Sequence, residues 1–127
     1  VRENLKCADR GFSLIELLVV ILIVGTLAAV AIPVFLGQQD SAKDAQAVSD
    51  LSLAKKALML WSTDNDGAYT SSLADLADYG YANTAAVTGT EIDILVDDDR
   101  FCIEATSGSG RPFSVTQNSI ITEGACA

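Results

Sequence analysis

The chain has 127 residues and a mass of 13.3 kDa, the size of one small domain, and it is 50% hydrophobic yet carries 8 basic and 17 acidic side chains, a net charge of −9. That balance disfavours nucleic-acid or anionic-membrane binding as its main role, because phosphate contacts need clustered Lys and Arg. The sequence contains no histidine, which removes Ser-His-Asp and Cys-His nucleophiles, an imidazole base and any His-rich metal site.

Val1 to Gly11 is a short polar stretch in which Arg2, Lys6 and Arg10 outnumber Glu3 and Asp9, the charge pattern of the n-region of a targeting signal. Leu17 to Leu36 follows as a 20-residue run without a charge, in which only Gly25, Thr26 and Pro33 are not apolar. A helix of this length covers roughly 30 Å, the thickness of a bilayer's hydrocarbon core, so the run is long enough to span a membrane. Burying it in the protein instead asks the 91 residues that follow to wrap a helix that is apolar all round. Ala28, Ala29 and Ala31 form an imperfect signal-peptidase site, and its use would remove the anchor. Gly25 lowers helix propensity and Pro33 removes an amide donor, so a kink or local melting is expected between them.

From Gly37 to Thr63 the helix pattern continues in a different form. Ala47, Leu51, Ala54, Leu58 and Trp61 fall on one apolar stripe, while Asp40, Lys43, Asp44, Asp50 and Lys56 lie largely off it. Asp64-Asn65-Asp66-Gly67 then stops the helix with turn-forming residues. This run does not match a calcium loop, because its glycine comes too early and Ala68 stands where the next acid is needed. Ser72 with Asp75 three residues on reads as the N-cap of a short helix bearing Leu73, Leu76 and Ala77, which Gly80 ends.

Three alternating segments follow: Ile92, Ile94 and Val96; Phe101, Ile103 and Ala105; Phe113 and Val115. Asp97-Asp98-Asp99 and the Gly-Ser-rich Ser107 to Gly110 separate them as turns, and Ile120-Ile121 adds a short edge strand or a packed tail. The fold class is therefore α+β: a long N-terminal helix, membrane-spanning in its first half and amphipathic in its second, packed against a small antiparallel sheet. Residues 37–127 form the soluble part, with the amphipathic half-helix 37–63, a connecting loop 64–90 and a meander 91–127. This part carries 5 basic and 14 acidic side chains. Lys55-Lys56 is too small a patch for nucleic acid, and Trp61, Tyr69, Tyr79 and Tyr81 read as core and loop-packing residues. No metal site or cofactor is expected. Of the three cysteines, Cys7 precedes the apolar run, while Cys102 and Cys126 lie far beyond it and can pair in an oxidising compartment.

The informative stretch is Arg10-Gly11-Phe12-Ser13-Leu14-Ile15-Glu16, a lone acid set immediately ahead of an uninterrupted apolar run. An ionisable group at the edge of a membrane segment is costly and usually has a partner. Gly11 followed by Phe12, Glu16 at the fifth position from that Phe, the run itself, and Gly25 and Pro33 within it resemble the type IV pilin family, which includes pseudopilins and competence-pilus subunits. The resemblance covers about the first quarter of the chain.

It implies that residues 1–11 are a leader, cut by a prepilin peptidase between Gly11 and Phe12, with methylation of the new Phe12 amine. Cys7 would leave with the leader, so that Cys102 and Cys126 remain as a pair. Residues 12–36 would serve first as a single-pass anchor in the cytoplasmic membrane and then as a filament core. Glu16 would neutralise the Phe12 amine of a neighbouring subunit. In the family, the stretch matching Gly25 to Pro33 can lose its helical structure in the fibre. The implied partners are further copies of the chain, the peptidase, the assembly platform and minor pilins, with no direct nucleic-acid ligand. The loop Ser107 to Gly124 is the place to look for receptor contacts. The function expected is a structural, non-catalytic subunit of a surface pilus for adhesion, motility or DNA uptake. The alternatives are a pseudopilin of a type II secretion system or competence pilus and, in another class, a monomeric membrane-anchored binding module.

Overall fold

The computed structural model describes residues 11–127. Val1 to Arg10, and with them Cys7 and the basic leader residues, lie outside the described residues. The element order is α1 (Leu14–Asp64), a 3-10 helix η1 (Leu73–Tyr79), α2 (Ala85–Thr88), β1 (Glu91–Asp97), β2 (Arg100–Thr106), β3 (Pro112–Thr116) and β4 (Thr122–Glu123). Contacts divide the chain between Leu36 and Gly37.

In the first unit, α1 is exposed all round. Helical structure continues through Gly25 and Pro33, so the local melting expected there is absent from the single chain. Pro33 removes one amide donor, the partner of the Ala29 carbonyl, and the alanines around it are strong helix formers, so the cooperative ladder closes on both sides.

The second unit contains the core. Ala47, Leu51, Ala54 and Leu58 are fully buried in one cluster with Ile92, Ile94, Phe101, Ile103, Ala105, Phe113 and Val115 from the sheet and with Leu76 and Tyr81 from the connecting region. Trp61, Tyr69, Leu73 and Tyr79 pack at the margin, and the Tyr69 ring stands edge-on to Phe101 with centroids 4.8 Å apart. Alternation explains the sheet: inward residues of β1 and β2 bury while their neighbours stay outside. The four strands are antiparallel in the order β1-β2-β3-β4. Register aligns Ile92, Ala105 and Phe113 in one inward row and Ile94, Ile103 and Val115 in the next. The smallest side chain of the first row thus sits between two large ones, the alternation by which facing side chains interdigitate. Asp98 takes a positive φ of 52° in the β1–β2 turn, a conformation that Asp tolerates better than most residues.

Several local expectations change. The segment ending at Gly80 is a 3-10 helix, and the Ser72 side chain does not cap it. The Thr70 hydroxyl instead braces the approach to it, accepting the Ser72 N–H at 3.0 Å and donating to Asp75 Oδ2 at 2.7 Å. Gly80 ends the element in a left-handed conformation, as its position suggests. The connecting region 64–90 also contains α2, a single turn too short to carry a periodicity. After α1, Asn65 Nδ2 donates to the Trp61 carbonyl at 2.8 Å and the Gly67 N–H to that of Ser62 at 2.9 Å, so Asp64 to Gly67 is a helix stop. The edge strand falls on Thr122–Glu123, just beyond Ile120-Ile121.

Asp50, which its spacing places off the apolar stripe, is buried. Its carboxylate accepts from Gln46 Nε2 at 2.9 Å and from Thr84 Oγ1 at 2.8 Å, which ties α2 to the helix and satisfies the buried oxygens. Tyr81 lies close by, and burial, reinforced by the Asp50 charge, raises its phenol above the usual range.

A second polar tie joins the β2–β3 turn to α1. The Ser109 hydroxyl and Arg111 Nη1, the latter at 3.2 Å, both donate to Asp44. The hydroxyls of Ser109 and Ser107, then the Arg111 guanidinium, hold the Asp44 carboxyl below its ordinary value against a smaller opposing effect of desolvation. A carboxyl whose pKa is lower folded than unfolded contributes stability above the unfolded value, about pH 4, and loses it as pH falls through the folded one. Asp44→Asn should therefore flatten the loss of stability below about pH 4. Thermal unfolding of both chains from pH 7 to pH 3 measures this; parallel curves would show that Asp44 has no such role. Gly108 in the same turn has a separate constraint, since a Cβ there would stand 2.9 Å from the Thr88 carbonyl oxygen.

Candidate functional site

The residues singled out at the start of the chain lie together at the N-terminus of α1. Gly11, Phe12 and Ser13 precede the helix, which begins at Leu14. Phe12 therefore stands outside the helical turn that an uninterrupted helix would share between it and Glu16, because glycine favours helix poorly and serine favours the N-cap. The Ser13 carbonyl accepts the first helical bond, from the Leu17 N–H at 3.1 Å, and Glu16 Oε2 accepts the Ser13 N–H at 3.4 Å. This is half of a capping box, and the Ser-x-x-Glu spacing of Ser13 and Glu16 is the sequence signal for it. Glu16 also lies in the first turn of α1, where the helix dipole favours a negative charge.

Space and exposure at this end fit a segment meant for other molecules. Among the described residues other than its chain neighbour, nothing lies within 4 Å of the position a Gly11 Cβ would take, and Phe12 is 89% exposed. Beyond Glu16, an 18-residue window of α1 has a mean hydropathy of 2.9 and none of it is buried. An uncovered apolar surface of this size belongs in lipid or against other chains. Among the described residues, the partner of Glu16 is the Ser13 amide and not a cation.

In the head, Cys102 of β2 and Cys126 are joined in a disulfide with Cα atoms 6.1 Å apart. Cross-strand pairing puts Leu95 opposite Cys102 on the outer sheet face, and the Cys126 N–H donates to Glu104 Oε2 at 3.1 Å. Leu95, Arg100, Glu104, Gln117 and the disulfide line an open groove of about 680 Å³. The sequence did not point to this groove, which shares only Thr116, Gln117 and Asn118 with the loop Ser107 to Gly124. Part of that loop is structural, since Ser107, Phe113, Ser114 and Val115 are buried. Lys55 is engaged as well, donating from Nζ to the Ser119 carbonyl at 3.0 Å. Asp64 accepts from the Tyr79 hydroxyl at 3.0 Å, a contact that raises the phenol's pKa. Among the described residues, no group of three or more His, Cys, Asp or Glu side chains is placed to hold a metal ion.

The model of the prokaryotic N-terminal methylation motif matches residues 6–32. The type II secretion system core protein G of Escherichia coli K12 is 41% identical over 57 residues, 45% of this chain and 39% of that protein. Its counterpart in Klebsiella michiganensis is 40% identical over 58 residues, 46% of this chain, and is covered to 41%. The chain thus spans about two-fifths of the length of these relatives. The type IV wide pilus major component PilA4 of Thermus thermophilus is 36% identical over 101 residues, 80% of this chain and 76% of that protein. A likeness of that extent reaches well beyond the methylation motif into the rest of the chain, and with it the chain belongs to the type IV pilin family.

Proposed function

We propose that this chain is a structural, non-catalytic subunit of a type IV pilus. The observation that carries this reading is the likeness to a wide-pilus major component over 80% of the chain. In this reading, a prepilin peptidase cuts between Gly11 and Phe12 and methylates the Phe12 amine. The free space about Gly11 supports the assignment, as does the placing of both residues ahead of the helix. The precursor is held in the cytoplasmic membrane by the apolar half of α1. On extraction by the assembly platform, that half exchanges lipid for the same surface of other subunits, and the acidic heads face solvent.

Glu16 supplies the register. A carboxylate and an ammonium at roughly 4 Å attract by about 4 kcal/mol at an effective dielectric of about 20, before desolvation. A subunit set one turn out of place leaves both charges unpaired in an apolar core, which is strongly penalised. The capping contact with the Ser13 N–H gives the carboxylate a partner before assembly.

The decisive experiment is to shear filaments from the cell surface and measure the intact mass and N-terminus of this protein. The expected result is a chain that begins at methylated Phe12 and is about 2 Da lighter than its reduced form, one disulfide per chain. A chain that keeps Gly11 and stays in the membrane fraction would favour a tethered binding module. The second reading, a pseudopilin of a secretion system, draws on the protein G relatives. It predicts no long surface filament from this chain at its native level of expression.

A further inference from the structure

β1 is the last strand on its side of the sheet, and it pairs with β2 along its whole length. Its opposite edge is bare: among the described residues, no other backbone hydrogen bond reaches residues 91–97. An antiparallel strand turns every second residue's N–H and C=O toward each of its two sides, so about half of the β1 backbone groups face this edge without a protein partner. The other end of the sheet differs, because β4 is only two residues long. Edges meant to stay bare are ordinarily short, or broken by proline, a bulge or an inward-pointing charge. β1 has none of these, since its register with β2 is unbroken from Glu91 to Asp97 and its inward side chains Ile92, Ile94 and Val96 are all apolar. What it does carry is charge of one sign. Its outward side chains are Glu91, Asp93, Leu95 and Asp97, and of the three acids only Asp97 is in an ion pair among the described residues, with Arg100 at 3.0 Å. Register sets Asp93 directly opposite Glu104, which has no ion pair there either, and like charges in that cross-strand position repel.

We propose that the free edge of β1 takes up an extended segment of another protein as an added strand, and that this segment is basic on one face and apolar on the other. Backbone hydrogen bonds give an added strand its affinity, and its alternate side chains give it specificity. Basic residues two apart on such a strand match the spacing of Glu91 and Asp93, roughly 7 Å along β1, and relieve the repulsion between Asp93 and Glu104. Its apolar residues fall on the inner side, where they extend the cover over the half-buried Val96. A second copy of this chain does not meet the requirement. Two β1 edges brought together set carboxylates against carboxylates, and β4 offers two residues, one of them Glu123.

The test titrates the full chain in detergent with synthetic peptides as long as β1, in which valine alternates with lysine or with glutamate. Binding is read by fluorescence anisotropy, and its place by amide hydrogen exchange at Glu91 to Asp97. The lysine peptide is expected to bind about tenfold or more tighter than the glutamate peptide and to slow exchange in β1. N-methylation of its backbone nitrogens keeps every charge and removes the donors, and is expected to weaken binding by about tenfold or more. Glu91→Gln combined with Asp93→Asn changes two exposed side chains, leaves the inward residues untouched, and is expected to weaken the lysine peptide several-fold. Failure of the lysine peptide to bind overturns the proposal. Equal binding of the methylated peptide, or binding that leaves exchange in β1 unchanged, shows attraction of charge alone and also overturns it. Protection of the β1 amides that grows with protein concentration in the absence of peptide gives the edge to a second copy and overturns it as well. None of these outcomes bears on the filament reading.

Discussion

Glu16→Gln is expected to lower the yield of sheared filaments by about tenfold or more, which corresponds to ~1.4 kcal/mol or more at each subunit contact. The choice of glutamine is what makes this informative. Gln serves a capping box as well as Glu does, so its side-chain oxygen still accepts the Ser13 N–H and the start of α1 is preserved. What disappears is the negative charge, and with it the attraction to a neighbouring Phe12 amine. Glu16→Ala removes both functions and is expected to be at least as severe. Quantifying sheared fractions of the three chains, alongside cleavage at Gly11, separates charge pairing from helix capping. If the Gln chain assembles like wild type and the Ala chain does not, Glu16 acts through the cap, and the pairing proposal fails.

The second large effect is in the head. Replacing Cys102 and Cys126 together by serine should cost about 3 to 4 kcal/mol, the chain-entropy value for a loop of this length. A small domain has only about 5 to 15 kcal/mol to lose. The expected consequence is a thermal midpoint lower by on the order of 20 °C, measured on the full chain in detergent with and without reductant. Reduction of the wild type should produce the same shift and leave the double variant unchanged. An unaltered midpoint in the double variant would mean that the core of Leu51, Leu58, Ile103 and Val115 suffices alone.

These two effects concern features that are legible in the sequence to different degrees. The stripe Ala47, Leu51, Ala54 and Leu58 and the alternating strands are plain, because each is a periodicity carried by consecutive residues. So are Gly11, Phe12 and Glu16, whose meaning lies in their order ahead of an uncharged run. Asp50 is misplaced because its burial depends on Thr84, 34 residues away, and spacing alone assigns an aspartate to solvent. The pairing of Asp44 with Ser109 is hidden for the same reason, with 65 residues between them. The Ser72 side chain does not cap the segment that follows it, and Asp75 is engaged by the Thr70 hydroxyl instead, a contact that a Ser-x-x-Asp spacing does not show. The continuity of α1 at Pro33 shows that loss of one donor is tolerated in a long helix, so the propensity of the residue is a weaker guide than the cooperativity of its surroundings.

The order β1-β2-β3-β4 has a consequence for how the head comes into being. Each strand pairs with the one just before it in sequence, across turns of a few residues, so the entropy of closing each loop is small and the sheet needs no distant segment to begin. The head is thus suited to folding hairpin after hairpin in the order of the sequence, which would suit the membrane-anchored precursor of the proposed function. The bond between Cys102 of β2 and Cys126 encloses β3 and β4, so it can close only once both have been made.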